Sequence, residues 1–395
     1  MSFDFAAISE MTGSPSYVFS ESKFKERASL VKEAFGEKAD LCFSIKANPF
    51  LLSVLPDTFA KIEVCSPGEL EICKALSMDP DMIIFSGVNK SLDEVREAIR
   101  YGAGVLTIES IQHFEWITQA AKEASKTVDV LIRLTAGSQF GMSEEELLSI
   151  IRSRETHPEI RIRGIHFFSG TQKRKPKEIQ KELAMLSEFI DRVLADEKFE
   201  IERIEYGTGL SVDYFRNDAD ESEQERLMAI APDIRALGEK AHLTVEMGRF
   251  FAAPCGYYIS KVIDAKTNEE INYAVLDGGL HQLKYDGQLQ GMQVPVITHI
   301  SDGVVCEEKK EDKEAWTLCG SLCTTADVIA RNAMFCDLKI GDLLVFHRTG
   351  AYSVMEGMSV FLSRDMPKVW LLKENGELCL LRDRIDTWRM NLPSL

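Results

Sequence analysis

The sequence lacks the segments that would direct a chain into or across a membrane. No apolar run within its 395 residues approaches the roughly 20 residues that a membrane-spanning helix needs. The N-terminal stretch Met1-Ser2-Phe3-Asp4 has no basic region followed by an apolar core, which a secretory signal peptide requires. We therefore expect a cytoplasmic protein with no membrane partner.

Positive charge is scarce, and the cysteines follow no regular spacing. Lys and Arg number 46 against 63 Asp and Glu, which gives a net charge of −17 and argues against nucleic acid or anionic membrane as general partners. The nine cysteines indicate reduced thiols and not a disulfide framework. Cys319 and Cys323 form a C-x3-C pair, but no second Cys/His pair at ligand spacing accompanies them, so we predict no metal site.

Strand-like and helix-like segments alternate along the first part of the chain, up to about Arg249. Eight apolar runs separated by helix-like stretches are typical of a (β/α)8 TIM-type barrel more than of an open sheet. The predicted strands are residues 41–45, 61–64, 82–85, 105–108, 128–134, 162–168, 203–206 and 243–246.

Beyond about Arg249 the pattern changes to strands and turns without helices. The predicted strands there are residues 257–265, 273–276, 316–319, 343–347, 369–372 and 378–381. We therefore predict an α/β chain with an N-terminal barrel over residues 21–250 and a C-terminal all-β domain over residues 251–395. Residues 1–20 contain an early strand-like run that could join the β domain.

Polar residues follow several predicted barrel strands, where TIM barrels carry their chemistry. Lys46 follows the first strand, and a desolvated lysine amine is the nucleophile that bonds to carbonyl cofactors such as pyridoxal phosphate (PLP). His166 ends the sixth strand and residues 246–249 end the eighth. Residues 207–211 (Gly-Thr-Gly-Leu-Ser) follow the seventh strand, and small residues there let backbone N–H groups approach an anion. A single lysine in such a place more often reaches solvent, but the other segments favour the cofactor.

Seven ordered motifs over nearly the whole chain resemble the fold-type III PLP-dependent decarboxylases, the family of diaminopimelate and ornithine decarboxylases. That family has an alanine racemase-like barrel followed by a β domain. The motifs are residues 43–48 (family Y-A-x-K-A-N), 63–70 (D-x-x-S-x-G-E-L), 164–172 (G-x-H-x-H-x-G-S-Q), 207–211 (glycine-rich phosphate loop), 246–249 (E-P-G-R), 319–327 (C-G-P-x-C-x-x-x-D) and 350–352 (G-A-Y).

The resemblance implies a role for each matching residue. Lys46 would hold PLP covalently, and Glu246 would keep the pyridine nitrogen protonated, which makes the ring a strong electron sink. Alanine racemases of similar fold have an arginine there. Cys323 would govern reprotonation of the α-carbon from across a homodimer interface, although an inert buried thiol is an alternative. The other cofactor-binding residues would be His166, Phe168, Thr171, Gly207, Thr208, Gly209, Gly248, Arg249 (alternatively a salt-bridge residue) and Tyr352.

Departures from the family pattern concern the substrate. Phe168 replaces a histidine that stacks on the cofactor ring, and Thr324 replaces an acidic residue that grips a distal ammonium. His281 and Gln282 replace an Asn-Asp pair, and no arginine follows within about ten residues. The segment that Arg133 opens is shorter than in the family. We assign substrate binding to Arg133, His281, Gln282 and Thr324. Residues 164–172 are closer to the branch acting on amino acids tethered to an acyl carrier protein.

A basic run directly follows this last motif. Lys173, Arg174, Lys175 and Lys177 place four positive charges beside the predicted barrel mouth of an acidic protein. We interpret them as a docking site for an acidic carrier protein or its phosphopantetheine phosphate. A solvated loop of charge is an equal alternative.

We therefore expect a homodimeric PLP-dependent L-amino-acid α-decarboxylase whose substrate lacks a distal ammonium and is carrier-tethered in one version of the hypothesis. One alternative is meso-diaminopimelate decarboxylase of lysine biosynthesis. Another is a catalytically silent regulatory homologue, against which the retention of Lys46 and Cys323 argues.

Overall fold

The first elements of the chain precede the barrel. The structure, a computed structural model, describes residues 3–307 and 312–394. Helix α1 (Phe5–Thr12) leads to strand β1 (Ser16–Ser20), and helix α2 (Glu21–Phe35) follows.

The chain forms two compact units. The β unit takes the described residues up to Lys25, Val212–Asp220 and those from Ala252 onward, and the barrel unit takes Glu26–Ser211 and Glu221–Phe251. Val212–Asp220, inside the predicted barrel range, thus belongs to the β unit.

Eight parallel strands close the barrel unit in chain order, from β2 to β9. This confirms the predicted TIM-type barrel, and the predicted strand ends differ by at most about two residues. The strands are β2 (Ala39–Ser44), β3 (Phe59–Val64), β4 (Ile83–Phe85), β5 (Val105–Ile108), β6 (Val128–Arg133), β7 (Ile160–Phe168), β8 (Arg203–Gly207) and β9 (His242–Met247).

The barrel strands are nearly continuous apolar runs because both of their faces are covered, as is usual for parallel sheets. Cys42, Ile84, Val105 and Leu131 pack together in one buried cluster. The connecting helices are α3 (Pro67–Ala75), α4 (Leu92–Tyr101), α5 (Ile111–Ala124), α6 (Glu144–Ser153), α7 (Pro176–Glu197), α8 (Ala219–Gly238) and α9 (Arg249–Ala252). Capping boxes begin α4 and α6, where each N-cap serine and a glutamate three residues later satisfy each other's backbone N–H.

The β unit contains a large mixed sheet and a smaller extension, which confirms the predicted all-β second domain. Its main order is β13-β12-β16-β10-β1-β17-β18, and β11, β14 and β15 extend from β10. The strands are β10 (Gly256–Asn268), β11 (Ile271–Leu276), β12 (Ile297–Ser301), β13 (Val304–Val305), β14 (Glu314–Cys319), β15 (Val328–Phe335), β16 (Leu343–His347), β17 (Lys368–Leu372) and β18 (Leu378–Arg382).

Strand β1 lies in the interior of this sheet. It pairs antiparallel with β10 and parallel with β17, so that Ser16 faces Ile259 on one side and Lys368 on the other. Val18, Tyr257, Ile259 and Val345 belong to one apolar cluster beneath it. Across the described ranges, no helix has the length and apolar character needed to cross a membrane.

Candidate active site

The amine of Lys46 is held between two buried carboxylates. Strand β2 ends at Ser44, one residue earlier than predicted, and Lys46 lies in the short 3-10 turn Ile45–Ala47 that follows it. Its Nζ lies 2.6 Å from Glu63 Oε2 and 3.3 Å from Glu246 Oε1. The Lys46 side chain is 36% exposed, whereas those of Glu63 and Glu246 are 3% and 6% exposed. The amine is therefore accessible from outside but anchored from inside.

The two carboxylates next to Lys46 carry different charges. Burial alone would raise the pKa of Glu246, but the Lys46 cation and a hydrogen bond from His166 hold that pKa well below its usual range. Burial and the nearby Glu246 charge instead raise the pKa of Glu63 to about 7. At neutral pH, Glu246 is thus ionised, whereas Glu63 is protonated in about half of the molecules. Environments that separate the pKa values of neighbouring acids are typical of catalytic sites.

His166 and Ser44 hold the Glu246 carboxylate in position. Its Nε2 lies 3.2 Å from Glu246 Oε2, and Ser44 Oγ donates to the other carboxylate oxygen at 3.0 Å. Burial lowers the pKa of His166, so the imidazole is neutral and its Nε2–H is the donor to the ionised carboxylate. The Glu246 carboxylate is thus held by Ser44, Lys46 and His166.

Glycine and a buried hydroxyl shape the loop after β8. Gly209 has a φ of +60°, and a Cβ there would lie 1.9 Å from the carbonyl oxygen of Gly170. A Cβ at Gly207 would lie 2.5 Å from the ring of Phe168, so this ring packs over the loop. Thr208 Oγ1 accepts the Leu210 N–H at 3.2 Å. Ser211 is fully buried, and its Oγ has no hydrogen-bond partner within the described chain. A narrow loop with a free hydroxyl fits a phosphate group.

The same loop is joined to the loop after β7. Lys173 N–H donates to Gly209 O at 2.8 Å, and Ser211 N–H donates to Lys173 O at 3.2 Å. Glu182 on α7 then accepts from Lys173 Nζ and from the Tyr206 hydroxyl, both at 2.6 Å, and also from Ser169 Oγ. One carboxylate thus gathers three polar groups around the phosphate-type loop.

This network corrects the predicted docking surface. Lys173 is 9% exposed and paired with Glu182, so its ammonium is turned into the barrel unit and not toward a partner. Arg174, Lys175 and Lys177 are exposed. Thr171, predicted to bind the cofactor, is also exposed.

Close packing explains the glycine of residues 246–249. A Cβ at Gly248 would lie 2.8 Å from the Ala47 Cβ and 2.9 Å from the carbonyl oxygen of Ser44. Only glycine therefore lets the end of β9 approach the turn that carries Lys46. Arg249 opens the short helix α9 directly after it.

Arg133 has a partner inside the barrel unit. Its Nη1 lies 3.1 Å from Glu109 Oε2, both side chains are buried, and its guanidinium lies 4.8 Å from the centre of the Phe140 ring. The predicted substrate-binding arginine is therefore also one half of a buried ion pair.

Several residues of this site were missed by the sequence analysis. Glu63 and Cys65 lie in a recognised motif but received no role, although Cys65 Sγ donates to Glu63 Oε1 at 3.0 Å. Part of that motif is a helix start, because Ser66 caps α3. Glu205 is fully buried, and burial and the charges of Glu246 and Glu63 raise its pKa well above the usual range. A charged residue between the apolar Ile204 and Tyr206 was the available signal for Glu205.

The other predicted site residues lie in the β unit. Cys323 is exposed, and Thr324 is exposed beside it. His281 is 3% exposed and neither ring nitrogen has a partner in the described chain. The Gln282 amide is already used, since it accepts from Tyr258 at 2.6 Å and donates to a backbone carbonyl at 2.8 Å. Tyr352 has a left-handed φ of +66°.

In residues 3–307 and 312–394, no group of three or more His, Cys, Asp or Glu side chains is placed to hold a metal ion. The barrel unit instead offers an anchored amine, an ionised carboxylate and an anion loop. Together these fit PLP, with its aldehyde, ring nitrogen and phosphate.

A TIM-type barrel with such a lysine, followed by a β domain, defines the class of fold-type III PLP-dependent enzymes. Residues 21–253 match the family model described as "Pyridoxal-dependent decarboxylase, pyridoxal binding domain". The chain belongs to this family of PLP-dependent amino-acid decarboxylases, and PLP is its cofactor. The resemblance found in the sequence and the predicted enzyme class are thereby confirmed.

The chain is similar to curated relatives with different substrates. Diaminopimelate decarboxylase of Zymomonas mobilis subsp. mobilis is 27% identical, over 87% of this chain and 84% of the relative. The 2-[(L-alanin-3-ylcarbamoyl)methyl]-2-hydroxybutanedioate decarboxylase of Staphylococcus aureus is 27% identical, over 88% of this chain and 91% of the relative. The L-glutamyl-[BtrI acyl-carrier protein] decarboxylase of Niallia circulans is 24% identical, over 97% and 94%.

Among solved structures, diaminopimelate decarboxylase from M. jannaschii in complex with L-lysine superposes with a TM-score of 0.84. It is 23% identical and the match covers 99% of this chain and 94% of that one. This likeness supports the fold of both units.

Proposed function

We propose that this enzyme removes the α-carboxylate of an L-amino acid whose distal end carries no ammonium group. The observation that carries the proposal is a cavity of about 810 Å³ in the β unit, which Cys323 and Thr324 line. Its one lining carboxylate is Asp327, and both oxygens of Asp327 accept backbone N–H groups, from Leu280 and Leu322, at 2.8 Å. A distal ammonium there would lack a counter-charge, which costs about 3–5 kcal/mol when buried.

The barrel unit supplies the groups that would hold PLP. Lys46 would bind it covalently, Glu246 would hold a proton at the ring nitrogen, and the loop of Gly207, Thr208 and Gly209 would bind the phosphate. When bound, PLP withdraws electrons from the α-carbon so that the bond to the carboxylate can break.

Glu63 has a separate task in this mechanism. The Lys46 ammonium must lose a proton before its amine can act as a nucleophile. Glu63 lies 2.6 Å from that nitrogen, and its pKa of about 7 lets it accept and return this proton at neutral pH. His166 stays neutral and keeps Glu246 oriented during the transfer.

A CO2-release screen tests the function. Wild-type protein loaded with PLP would be given free amino acids with acidic, neutral and basic side chains, meso-diaminopimelate, and aminoacyl carrier proteins. We expect turnover of substrates without a distal ammonium and poor turnover of free diaminopimelate. Efficient saturable decarboxylation of diaminopimelate would return the assignment to that enzyme. No CO2 from any substrate, with PLP bound, would favour the silent regulatory homologue.

We further propose that the enzyme acts as a cytoplasmic homodimer in which Cys323 serves the partner's site. None of the nine cysteines, all of which lie in the described ranges, forms a disulfide, which suits a reducing compartment. Lys46→Ala and Cys323→Ala proteins, each nearly inactive, should regain part of the activity when mixed, because a heterodimer would contain one complete site. No recovery despite measured subunit exchange would mean that Cys323 acts within its own subunit or not at all.

For a carrier-bound substrate, we propose that Arg174, Lys175 and Lys177 contact the acidic carrier. Replacing all three with serine should raise KM for the carrier-bound substrate, with less effect at high salt. Lys198→Ser is the control, because this exposed lysine caps the other end of α7. An unchanged KM in the triple variant would leave these residues as a solvated charged loop.

A further inference from the structure

Two arginines line the cavity that contains Cys323 and Thr324. Arg364 and Arg331 both reach it, as does Lys266. Lys266 is paired with Asp264 at 2.6 Å. No carboxylate within the described residues lies in salt-bridge distance of either arginine. Arg96 and Arg192, by contrast, are paired with glutamates.

Each of the two arginines is held by a backbone carbonyl. Arg364 Nη2 donates to Ser321 O at 3.0 Å, and Arg331 Nε donates to Gln290 O at 3.1 Å. A guanidinium has five N–H donors, so both keep further donors and a full charge available. Ser321 belongs to the same loop as Cys323, which places the Arg364 guanidinium beside the loop that carries the thiol.

Arg364 also lines a second, neighbouring cavity of about 370 Å³ with His281, Asp277 and Asp365. Asp365 is paired with Arg384 at 2.9 Å, and Asp277 accepts from Ser14 Oγ and Ser260 Oγ, each at 2.7 Å. Burial and the Arg364 cation lower the pKa of His281 to about 4, so this histidine is neutral at physiological pH. Asp327, the one carboxylate of the larger cavity, directs both oxygens at backbone N–H groups. The electrostatic character of the larger cavity, which contains Cys323, is therefore positive.

We propose that Arg364, assisted by Arg331, binds an anionic oxygen group at the distal end of the substrate. This rests on the proposed function and deepens it, because it turns the absence of a distal ammonium into the presence of a distal anion. Carboxylate and phosphate both match the planar donor fork of arginine. The group is therefore a side-chain carboxylate of a free amino acid or the phosphate of a carrier's pantetheine arm.

This inference changes the predicted specificity residues. Gln282 has its amide engaged within the β unit, and His281 is uncharged, so neither supplies a counter-charge. Arg364 supplies the arginine that the sequence lacked after His281, from a distant part of the chain.

The experiment compares Arg364→Gln with wild-type holoenzyme on three types of free amino acid. These are L-glutamate and L-2-aminoadipate with a distal carboxylate, L-glutamine as a neutral match, and L-ornithine with a distal cation. We expect the carboxylate substrates to be preferred, and Arg364→Gln to raise their KM at least tenfold with kcat changed less than about threefold. Arg364→Lys should recover part of the loss. If only carrier-bound substrate shows this dependence on Arg364, the phosphate is the group bound.

Arg384→Gln is the matched control. Arg384 also lines the smaller cavity but is paired with Asp365 at 2.9 Å, so its loss should leave the KM values unchanged. Arg331→Gln should give a smaller increase than Arg364→Gln, and it serves as the test if Arg364→Gln does not fold.

A second measurement needs no turnover. Alkylation of Cys323 by iodoacetamide, followed by mass spectrometry of its peptide, should be slowed at least threefold by glutarate or inorganic phosphate in wild type and not in Arg364→Gln. Protection without CO2 release would reject the proposed function and keep the anion site. Turnover without a preference for distal carboxylates, or equal protection in the variant, would overturn the anion site and leave the decarboxylase assignment intact.

Discussion

Replacing Glu63 with glutamine should remove a pH dependence from the stability of the cofactor-free protein. The pKa of Glu63 rises from an ordinary 4.5 to about 7 in the folded state. Each pKa unit corresponds to 1.36 kcal/mol, so ionising Glu63 costs the folded state about 3 kcal/mol. Because the folded pKa is the higher one, this stability is fully present below pH 4.5 and is lost as the pH rises through 7. Glutamine cannot ionise and carries no such loss.

The measurement is the free energy of unfolding in urea at pH 5, 6, 7 and 8, after removal of PLP. From pH 5 to 8, the wild type should lose more stability than Glu63→Gln, by about 2–3 kcal/mol. Glu123→Gln is the control, because hydrogen bonding to Arg96 lowers the pKa of this exposed residue to about 2, outside the range tested. Parallel curves for wild type and Glu63→Gln would refute the argument, since Glu63 would then be ionised throughout and held by Lys46 alone.

Three further predictions concern the cofactor. Lys46→Ala should abolish the visible absorbance of bound PLP, and borohydride reduction of wild type should label Lys46; a label on another lysine would contradict the assignment. Gly209→Ala should raise the Kd for PLP at least tenfold, because its Cβ would lie 1.9 Å from the Gly170 carbonyl oxygen; an unchanged Kd would mean that the loop does not bind phosphate. Glu182→Gln should weaken PLP about tenfold but leave the affinity for pyridoxal, which has no phosphate, unchanged, because Lys173 loses its partner near the loop. Equal losses for both ligands would reduce Glu182 to a general structural role.

The barrel strands could be predicted because each is an apolar run that must be buried on both faces. Lys46 could be identified for the same reason, because burying the charge of a lysine directly after such a run costs free energy unless the lysine is paired. The 3-10 turn that carries Lys46 could not be foreseen, because it depends on close packing against Gly248, which is about 200 residues later in the sequence.

Pairing between charged residues was the harder problem. Lys173 belongs to a basic run, yet its partner is Glu182 on the following helix, and nothing in the run distinguishes the inward-turned lysine from the exposed Lys175. Arg364 is a similar case, because its proximity to His281 and to the Cys323 loop exists only in the folded β unit. Sequence patterns indicate which residues are unusual, whereas the partner of each charge is decided by tertiary packing.

The position of β1 has a consequence for synthesis of the protein on the ribosome. Ser16 pairs with Lys368, which is 352 residues later in the chain. Strand β1 must therefore remain without this neighbour while the whole barrel unit and most of the β unit are translated, and an unpaired strand edge is prone to aggregation. The barrel unit contains its own closed sheet and could form earlier. A ribosome stalled between β16 and β17 would thus expose one edge of β1, which makes this interval the stage at which a nascent chain would most need a chaperone.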